Sequence, residues 1–186
     1  MVSAIILAAG ASKRMGTPKA LLPVKGSTLV GQIADIVKKT CNDVIIVTRK
    51  ELQLDIMLNA PETRVLINPN PESGRTGTLQ IALLALEIPS KVIVVPVDRP
   101  GFTTKTIEAL LEAGGCARPV HMGKGGHPIL LNKRAVEKVM AADAIESLRD
   151  LLTFNDVNVE GVDFSLNVDT PEDLEKLEQW YESQDT

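Results

Sequence analysis

The sequence lacks several features that would assign it to a particular class of protein. Aromatic residues form 3% of its 186 positions, and its two cysteines, Cys41 and Cys116, lie too far apart to make a zinc or redox motif. No apolar run approaches the roughly 18 residues of a membrane-spanning helix. A net charge of −4 argues against the broad basic surface of a general nucleic-acid binder. We therefore expect a cytoplasmic protein that binds neither membranes nor nucleic acids.

Acidic residues are missing from one stretch in particular. An even distribution of the 24 acids over 186 positions would place about four in residues 1–34, yet the first acid is Asp35. The same stretch carries Lys13, Arg14 and Lys19. Cations without neighbouring carboxylates indicate an anion site, although a solvated loop with incidental lysines would have the same composition.

The fold class follows from the apolar runs. Residues 2–7, 44–48, 64–67 and 92–97 are rich in valine and isoleucine without polar alternation, as in parallel strands covered on both faces. Helix-period segments separate these runs, which predicts one α/β domain over residues 1–186. The run at 2–7 has no basic segment before it, so we expect a first strand rather than a signal peptide.

The rest of the chain is expected to complete a mixed sheet. Ser27 is predicted to cap a helix. Residues 123–126, glycine-rich and placed between two apolar segments, predict a hairpin or a loop between two strands. Thr170 is predicted to cap the last helix, with Asp173 reaching back to it. The remaining predicted elements are helices at 133–140 and 145–154 and short strands at 156–159 and 165–168.

The loop after the first predicted strand has the composition of a phosphate site. Small residues at 8–12 would let backbone N–H groups approach phosphate oxygens, while Arg14 and Lys19 supply positive charge. The loop is not a P-loop, because five rather than four residues separate Gly10 from Gly16, and it also breaks the dinucleotide fingerprint. A polyphosphate is the expected ligand.

Two aspartates are candidates for a metal site. Asp98 directly follows the run 92–97, at the carboxyl end of a predicted strand, and Asp169 precedes the last helix without being needed for its cap. Two separated carboxylates that meet bound phosphates would make a Mg²⁺ site. A turn aspartate at 98 and a solvated aspartate at 169 are equally good interpretations of the sequence, which does not show whether the two residues meet.

Several motifs together resemble a known family. They are LAAGASKRMGTPKALLPVKGSTL, NPNPESGRTGTLQIAL, VVPVDRPG, GGHPILL and NVDTPEDL, in this order over essentially the whole chain. The sequence is similar to the MobA-like nucleotidyltransferases, and among them more to the molybdenum cofactor cytidylyltransferases (MocA-like) than to the guanylyltransferases. The resemblance implies a three-layer α/β/α, Rossmann-like domain of the nucleotide-diphospho-sugar transferase type with a mostly parallel mixed sheet.

The resemblance also implies a reaction and the residues that perform it. A phosphate oxygen of a phosphorylated acceptor, molybdopterin in that branch, attacks the α-phosphorus of a nucleoside triphosphate, CTP being favoured, and pyrophosphate leaves. The implied catalytic residues are Arg14, Lys19 and Asp98, with Mg²⁺ held by Asp98 and Asp169. A molybdoenzyme or its chaperone is the implied protein partner. The implied nucleotide contacts are Leu7, Ala8, Ala9, Gly10, Arg14, Lys19, Gly77 and Thr78, of which Thr78 is equally well interpreted as a helix N-cap.

The acceptor side rests on a second stretch without acids, residues 113–136. Its glycine-rich loop carries Lys124 and His127, which are expected to bind the acceptor's phosphate, although a structural role is the stronger interpretation for a lone histidine. Arg99 departs from the molybdenum enzymes, which usually have glutamine after the metal-binding aspartate, and would contact a more anionic acceptor or pair with a carboxylate. Two alternatives stay open: a cytidylyltransferase for a sugar or alditol phosphate, and a noncatalytic nucleotide-binding regulatory protein.

Overall fold

A computed structural model describes residues 2–10, 12 and 15–184. The strands of this part of the chain are β1 (Ser3–Leu7), β2 (Pro23–Val24), β3 (Ser27–Thr28), β4 (Asp43–Thr48), β5 (Arg64–Ile67), β6 (Lys91–Pro96), β7 (Ala117–His121), β8 (Lys124–Gly125), β9 (Ile129–Asn132) and β10 (Asn155–Asn158). The α-helices are α1 (Leu29–Lys38), α2 (Gln53–Asn59), α3 (Arg75–Ala85), α4 (Thr104–Ala113), α5 (Lys133–Ala141), α6 (Leu148–Leu151) and α7 (Asp173–Ser183). None of these helices is long and apolar enough to cross a membrane.

The main sheet confirms the mixed, mostly parallel arrangement. Its strand order is β10-β7-β9-β6-β1-β4-β5, with β8 paired to β7 outside this path. Neighbours pair in parallel except where β9 or β8 takes part, and both of these run antiparallel to their partners. The four predicted apolar runs form β1, β4, β5 and β6, the parallel strands that helices cover on both faces. Strands β2 and β3 form a separate two-stranded sheet.

Helices cover both faces of the sheet and make the three-layer architecture. Alternate residues of β1 belong to two separate cores: Ile6 packs in the core that contains Ile33 of α1, and Ile5 in the core that contains Leu79 of α3. Helices α2, α4 and α7 contribute to the first core, and α5 to the second. The Val- and Ile-rich strands are therefore buried from both sides, as their lack of polar alternation predicts.

The sheet topology determines where a ligand can bind. Strand β1 lies between β4, which is the next strand of the main sheet along the chain, and β6, which comes only after β5. The loops that follow β1 and β6 therefore meet at the carboxyl edge of the sheet, at the point where the strand order reverses, which is the usual ligand site of open α/β sheets. The backbone N–H of Val97 still donates to the Leu7 carbonyl at 3.1 Å, which holds the two loops side by side.

Two predicted helix starts are displaced along the chain. The N-cap of α1 is Thr28 rather than Ser27, since the Thr28 hydroxyl accepts the Gly31 N–H at 3.3 Å. Helix α7 begins at Asp173, and Thr170 lies in the turn before it. The predicted reach of the Asp173 carboxylate back to the Thr170 N–H is present at 3.0 Å.

Two other predicted elements are wrong. Of the predicted helix 145–154 only Leu148–Leu151 is helical, because Ser147 caps it late and the backbone is extended again at Leu152. Residues 165–168 do not form a strand. The N–H of Val168 donates to the Asp98 carbonyl at 3.0 Å, so this segment is bonded to the loop after β6 instead of to a neighbouring strand.

Candidate active site

A small cavity lies at the carboxyl end of β1 and has a volume of about 170 Å³. Its floor is formed by the loop that follows β1, and its sides by the loop after β6 and the start of α3. The predicted nucleotide contacts that line it are Leu7, Ala8, Ala9, Gly10, Lys19 and Thr78. The other predicted cation of this loop, Arg14, lies outside the described residues.

The backbone of the loop after β1 is fixed at one end and open at the other. The Ala8 N–H donates to the Val47 carbonyl at 2.8 Å, and the Thr48 hydroxyl donates to the Ala8 carbonyl at 3.3 Å. Gly10 is exposed, and its N–H donates to no atom in the described part of the chain. A Cβ built on Gly10 has no heavy atom within 4 Å. The chain therefore presents a bare backbone to the cavity at this position.

Lys19 is held in place from two directions. Its backbone N–H donates to the Ser12 hydroxyl at 3.1 Å, which joins the two halves of the loop. Its ammonium lies 2.5 Å from Oδ1 of Asp169, and the two side chains are only 14% and 21% exposed. Oδ2 of Asp169 accepts a hydrogen bond from the side-chain amide of Asn167. A long cationic side chain is thereby ordered inside the cavity that the sequence assigns to phosphates.

The segments that carry Asp98 and Asp169 meet at the edge of the cavity. The Val168 N–H bonds to the Asp98 carbonyl, which brings residue 169 beside the loop after β6. The Asp98 carboxylate is 15% exposed and accepts Nη2 of Arg75 at 3.2 Å. Each aspartate is thus paired with a cation, Arg75 or Lys19. The described residues contain no cluster of three histidine, cysteine or acidic side chains that could hold a metal ion. A metal bound by Asp98 and Asp169 would therefore need further ligands that are not side chains of these types among the described residues.

Helix α3 contributes its N-terminus to the small cavity, which Thr78 lines as expected and Gly77 does not. Its N-cap is Gly74, at φ 101°, and Thr78 lies one turn further on. The Thr78 hydroxyl accepts the Asn68 amide and donates to the Gly74 carbonyl, both at 2.9 Å. Gly77 does not line either cavity among the described residues, and its N–H donates to the Ala144 carbonyl at 3.0 Å. Thr78 therefore fixes the helix terminus, and Gly77 is engaged with the loop before α6.

A larger cavity of about 670 Å³ adjoins the first, and Leu7, Arg75 and Pro96 line both. Four arginines but no lysine line it among the described residues, together with Glu146 and Asp163. Two of the three phenylalanines in the chain also line it. The arginines are Arg75, Arg99, Arg118 and Arg149, and the larger apolar side chains of the wall are Leu7, Val94, Ile129, Ile145, Leu148, Leu152, Phe154, Phe164 and Leu166.

The glycine-rich loop after β7 forms part of the wall of this larger cavity. A Cβ on Gly126 would lie 2.2 Å from the ring of Phe164, so only glycine lets the loop pack on that ring. Gly125 lies against the Arg118 guanidinium, which pairs with Asp156 through Nε at 2.6 Å. Lys124, by contrast, is exposed on β8 and is not among the described residues that line either cavity.

His127 lines the larger cavity and is kept neutral there. Burial lowers its pKa to about 4, and the positive charges of Arg75 and Arg99 act in the same direction against the opposing effect of Asp98. Nδ1 of the ring is inaccessible to solvent and has no hydrogen-bond partner in the described part of the molecule. At neutral pH this imidazole is an uncharged group among cations, with one ring nitrogen unsatisfied.

Several residues of the site carry too little sequence signal to be singled out. Arg75 stands in the motif NPNPESGRTGTLQIAL, but nothing in that motif shows that its side chain reaches between two cavities. Arg149 and Phe154 fall in a segment predicted to be helical throughout, and Phe164 lies beside a segment predicted to be a strand. Only the acid-free stretch 113–136 pointed to this side of the molecule.

Comparison with known proteins agrees with this geometry. A family model described as "MobA-like NTP transferase domain" matches residues 4–159. The molybdenum cofactor cytidylyltransferase of Escherichia coli (strain K12) is 26% identical over 187 residues, which cover 97% of both chains. Nicotine blue oxidoreductase of Paenarthrobacter nicotinovorans is 30% identical over 196 residues, covering 97% of this chain and 95% of that protein.

Solved structures confirm the fold. The crystal structure of Rv0371c from Mycobacterium tuberculosis H37Rv has a TM-score of 0.83 at 21% identity, and the match covers 96% of this chain and 97% of that one. A complex of the same protein with manganese has a TM-score of 0.79 at 19% identity, covering 96% and 98%. At these identities the likeness concerns the architecture, which is the three-layer domain that the sequence motifs imply.

Proposed function

The chain belongs to the MobA-like NTP transferase family, and from this premise we propose that it transfers CMP from CTP to the phosphate of molybdopterin or molybdenum cofactor, releasing pyrophosphate. Proteins of this family to which it is related include molybdenum cofactor cytidylyltransferases and guanylyltransferases. One observation carries the proposal: a small cavity with a bare backbone and a partly buried lysine adjoins, at Arg75, a larger cavity lined with arginines. A triphosphate and an anionic acceptor can then lie end to end.

The residues of the small cavity have distinct tasks in this reaction. The backbone at Gly10 and the ammonium of Lys19 bind the triphosphate, with Arg14 as a further expected cation. Leu7 to Ala9 lie beneath the nucleoside. Such a transfer needs no covalent enzyme intermediate. Most of the expected catalysis therefore comes from holding the acceptor phosphate in line with the α-phosphate of the nucleotide and from neutralising the charge of both.

Asp98 and Asp169 are the proposed ligands of Mg²⁺. Their oxygens are the donor type that Mg²⁺ prefers, and two protein carboxylates with the remaining positions filled by phosphate and water is its usual arrangement beside nucleotides. Both carboxylates are largely buried and each is paired with a cation, which supports a site that attracts positive charge. The manganese complex of the Mycobacterium tuberculosis relative supports a divalent ion. When bound, the ion would polarise the phosphoryl oxygens and neutralise the leaving pyrophosphate.

The larger cavity supports a planar, anionic acceptor. Two phenylalanines and a largely aliphatic wall suit a ring system, and guanidinium groups bind phosphate in two-pronged fashion and stack on planar rings. A small alditol or sugar phosphate would leave most of that apolar wall uncovered. We therefore favour the pterin acceptor over this alternative, and His127 as one of its contacts.

The first test is thermal unfolding of the purified protein with CTP, GTP, UTP or ATP, each with and without Mg²⁺. A triphosphate present at 100 times its dissociation constant adds roughly 2.7 kcal/mol of stability. We expect the largest shift with CTP and Mg²⁺, followed by Mg²⁺-dependent pyrophosphate release when molybdopterin is added. Binding without pyrophosphate release from any phosphorylated acceptor would favour the noncatalytic alternative, and no shift with any nucleotide would overturn the proposal.

A further inference from the structure

Polar side chains from three segments of the chain lie near the junction of the two cavities. Arg75 lines both cavities, whereas Arg99 and His127 line only the larger one. Asp98 is bound to Arg75 at 3.2 Å and directly precedes Arg99 in the chain. Three cationic or polar groups thus surround the place where an acceptor must approach a bound triphosphate.

Arg99 is the half-buried arginine of this cavity that lacks a carboxylate partner among the described residues; Arg149 also lacks one there but is exposed. Arg75 and Arg118 each pair with an aspartate, Asp98 and Asp156. The two acids that line the cavity are engaged elsewhere: Asp163 accepts the Ser165 N–H, and Glu146 accepts the Asp143 N–H. Arg99 is half-buried, and no carboxylate pairs with it in the described part of the chain. A half-buried guanidinium without a counterion indicates a ligand that brings negative charge.

We propose that Arg99 and Arg75 bind the reacting phosphate of the acceptor, with the imidazole of His127 hydrogen-bonded beside it. This inference rests on the proposed function and assigns the acceptor subsite to residues of this chain. It also makes the site specific for an acceptor that ends in a phosphate dianion rather than a hydroxyl group.

The chemistry of the step explains why two guanidinium groups are needed. An oxygen of the acceptor phosphate forms a bond to the α-phosphorus of the nucleotide, while the bond from that phosphorus to the oxygen bridging to the β-phosphorus breaks. Pyrophosphate takes the electron pair, and the dianion has no proton to lose. Two anions must therefore approach one another, and Arg75, which reaches both cavities, can donate to both at once.

His127 suits this role because it is uncharged. Its lowered pKa leaves the ring neutral at physiological pH, so it does not repel the adjacent guanidinium groups. Because Nδ1 is closed off from solvent, Nε2 is the ring nitrogen that can hydrogen-bond a ligand in the cavity. A deprotonated phosphate needs no general base, which is why we assign this histidine to binding and not to proton transfer.

The test separates the acceptor subsite from the nucleotide site by titrating them one after the other. Calorimetry first measures binding of α,β-methylene-CTP with Mg²⁺, and then binding of inorganic phosphate to the protein saturated with that analogue. Losing a charged hydrogen bond weakens binding roughly 10–100-fold. We expect Arg99→Gln to lower phosphate affinity by that factor while leaving affinity for the analogue within about twofold, and Arg99→Lys to recover only part of the loss.

The matched control is Arg64→Gln at the far edge of the sheet. Arg64 lies on β5 and pairs with Asp43 at 3.1 Å, and both side chains of this pair are exposed. Unchanged phosphate affinity in the Arg99→Gln protein would overturn the inference about Arg99 and would leave the proposed function intact. If the wild-type protein did not bind the analogue, the proposed function would fail, and the phosphate titration on the nucleotide-free protein would still decide whether Arg99 holds an anion.

Discussion

Replacement of Lys19 by methionine tests the phosphate loop and separates stability from binding. The substitution keeps an unbranched side chain, one atom shorter than lysine, and removes the ammonium that lies 2.5 Å from Asp169. Breaking a buried ion pair by removing one partner costs about 3–5 kcal/mol. The lower end of that range applies, because Asn167 continues to hydrogen-bond the Asp169 carboxylate. We expect the ligand-free variant to be destabilised by about 3 kcal/mol.

We also expect Lys19→Met to weaken nucleotide binding. A charge-assisted hydrogen bond to phosphate is worth about 1.5–3 kcal/mol, so removal of the ammonium should weaken CTP binding roughly 50-fold. At a CTP concentration 100 times the wild-type dissociation constant, the stabilisation by ligand then falls from about 2.7 to about 0.6 kcal/mol. Thermal or urea unfolding with and without CTP and Mg²⁺ measures both quantities in one experiment.

Lys38→Met is the matched control for this substitution. Lys38 pairs with Asp35 at 3.1 Å on the surface of α1, where an ion pair contributes about 0–1 kcal/mol. That variant should keep the full CTP-dependent shift. A Lys19→Met protein that is stabilised by CTP as strongly as the wild type would refute the assignment of Lys19 to the triphosphate.

Four further outcomes are expected. Asp98→Ala should abolish Mg²⁺-dependent turnover and keep the fold, and normal turnover in it would remove Asp98 from the mechanism. Gly10→Ala should leave the free energy of unfolding nearly unchanged, because its Cβ meets open space, but weaken CTP binding; equal affinity would show that the backbone is not approached closely. Thr78→Val strands the buried Asn68 amide and should cost about 1–3 kcal/mol in urea unfolding, a loss that an undiminished midpoint would exclude. The pKa of His127 is about 4 in the folded state against 6.5 in the unfolded chain, so the unfolded chain binds more protons between these pH values. The free energy of unfolding should therefore fall as the pH is lowered from about 6.5 to 4, by up to about 3 kcal/mol. His127→Gln should weaken this pH dependence of stability, and an unaltered pH dependence would contradict the lowered pKa.

The parts of the fold that the sequence predicts are those where burial alone determines the pattern. Strands β1, β4, β5 and β6 are covered on both faces, and an unbroken run of valine and isoleucine is typical of strands in that position. The segment 165–168, Ser-Leu-Asn-Val, alternates polar and apolar residues as a half-buried strand does, but its backbone bonds to the loop after β6. The path of such a segment is decided by hydrogen-bond partners that are distant in sequence, and a local residue pattern does not reveal them.

The predicted helix starts were wrong for a more local reason. Ser27 and Thr28 are adjacent and chemically alike, so either hydroxyl could serve as the cap, and the short strand that ends at Thr28 settles the choice. The predicted helix 145–154 contains enough leucine for a helical face. In the structure Leu148 and Leu152 line the larger cavity instead, and four residues are all that remain helical.

The sequence predicts the lining of the small cavity better than that of the larger one, and the distribution of charge explains the difference. An acidic chain that omits every carboxylate from its first 34 residues leaves a strong signal, and Lys19 and Gly10 indeed line one cavity. On the acceptor side the same reasoning pointed to Lys124, which is exposed and away from the cavity, because absence of acids does not say which way a cation faces. The arginines that line the larger cavity lie on α3, in the loop after β6, on β7 and on α6. They become neighbours only when β6 pairs with β9 and the N-terminus of α3 reaches Asp98. Long-range topology therefore brings together the residues that line the larger cavity, whereas most of the residues predicted to bind the triphosphate lie in one continuous segment.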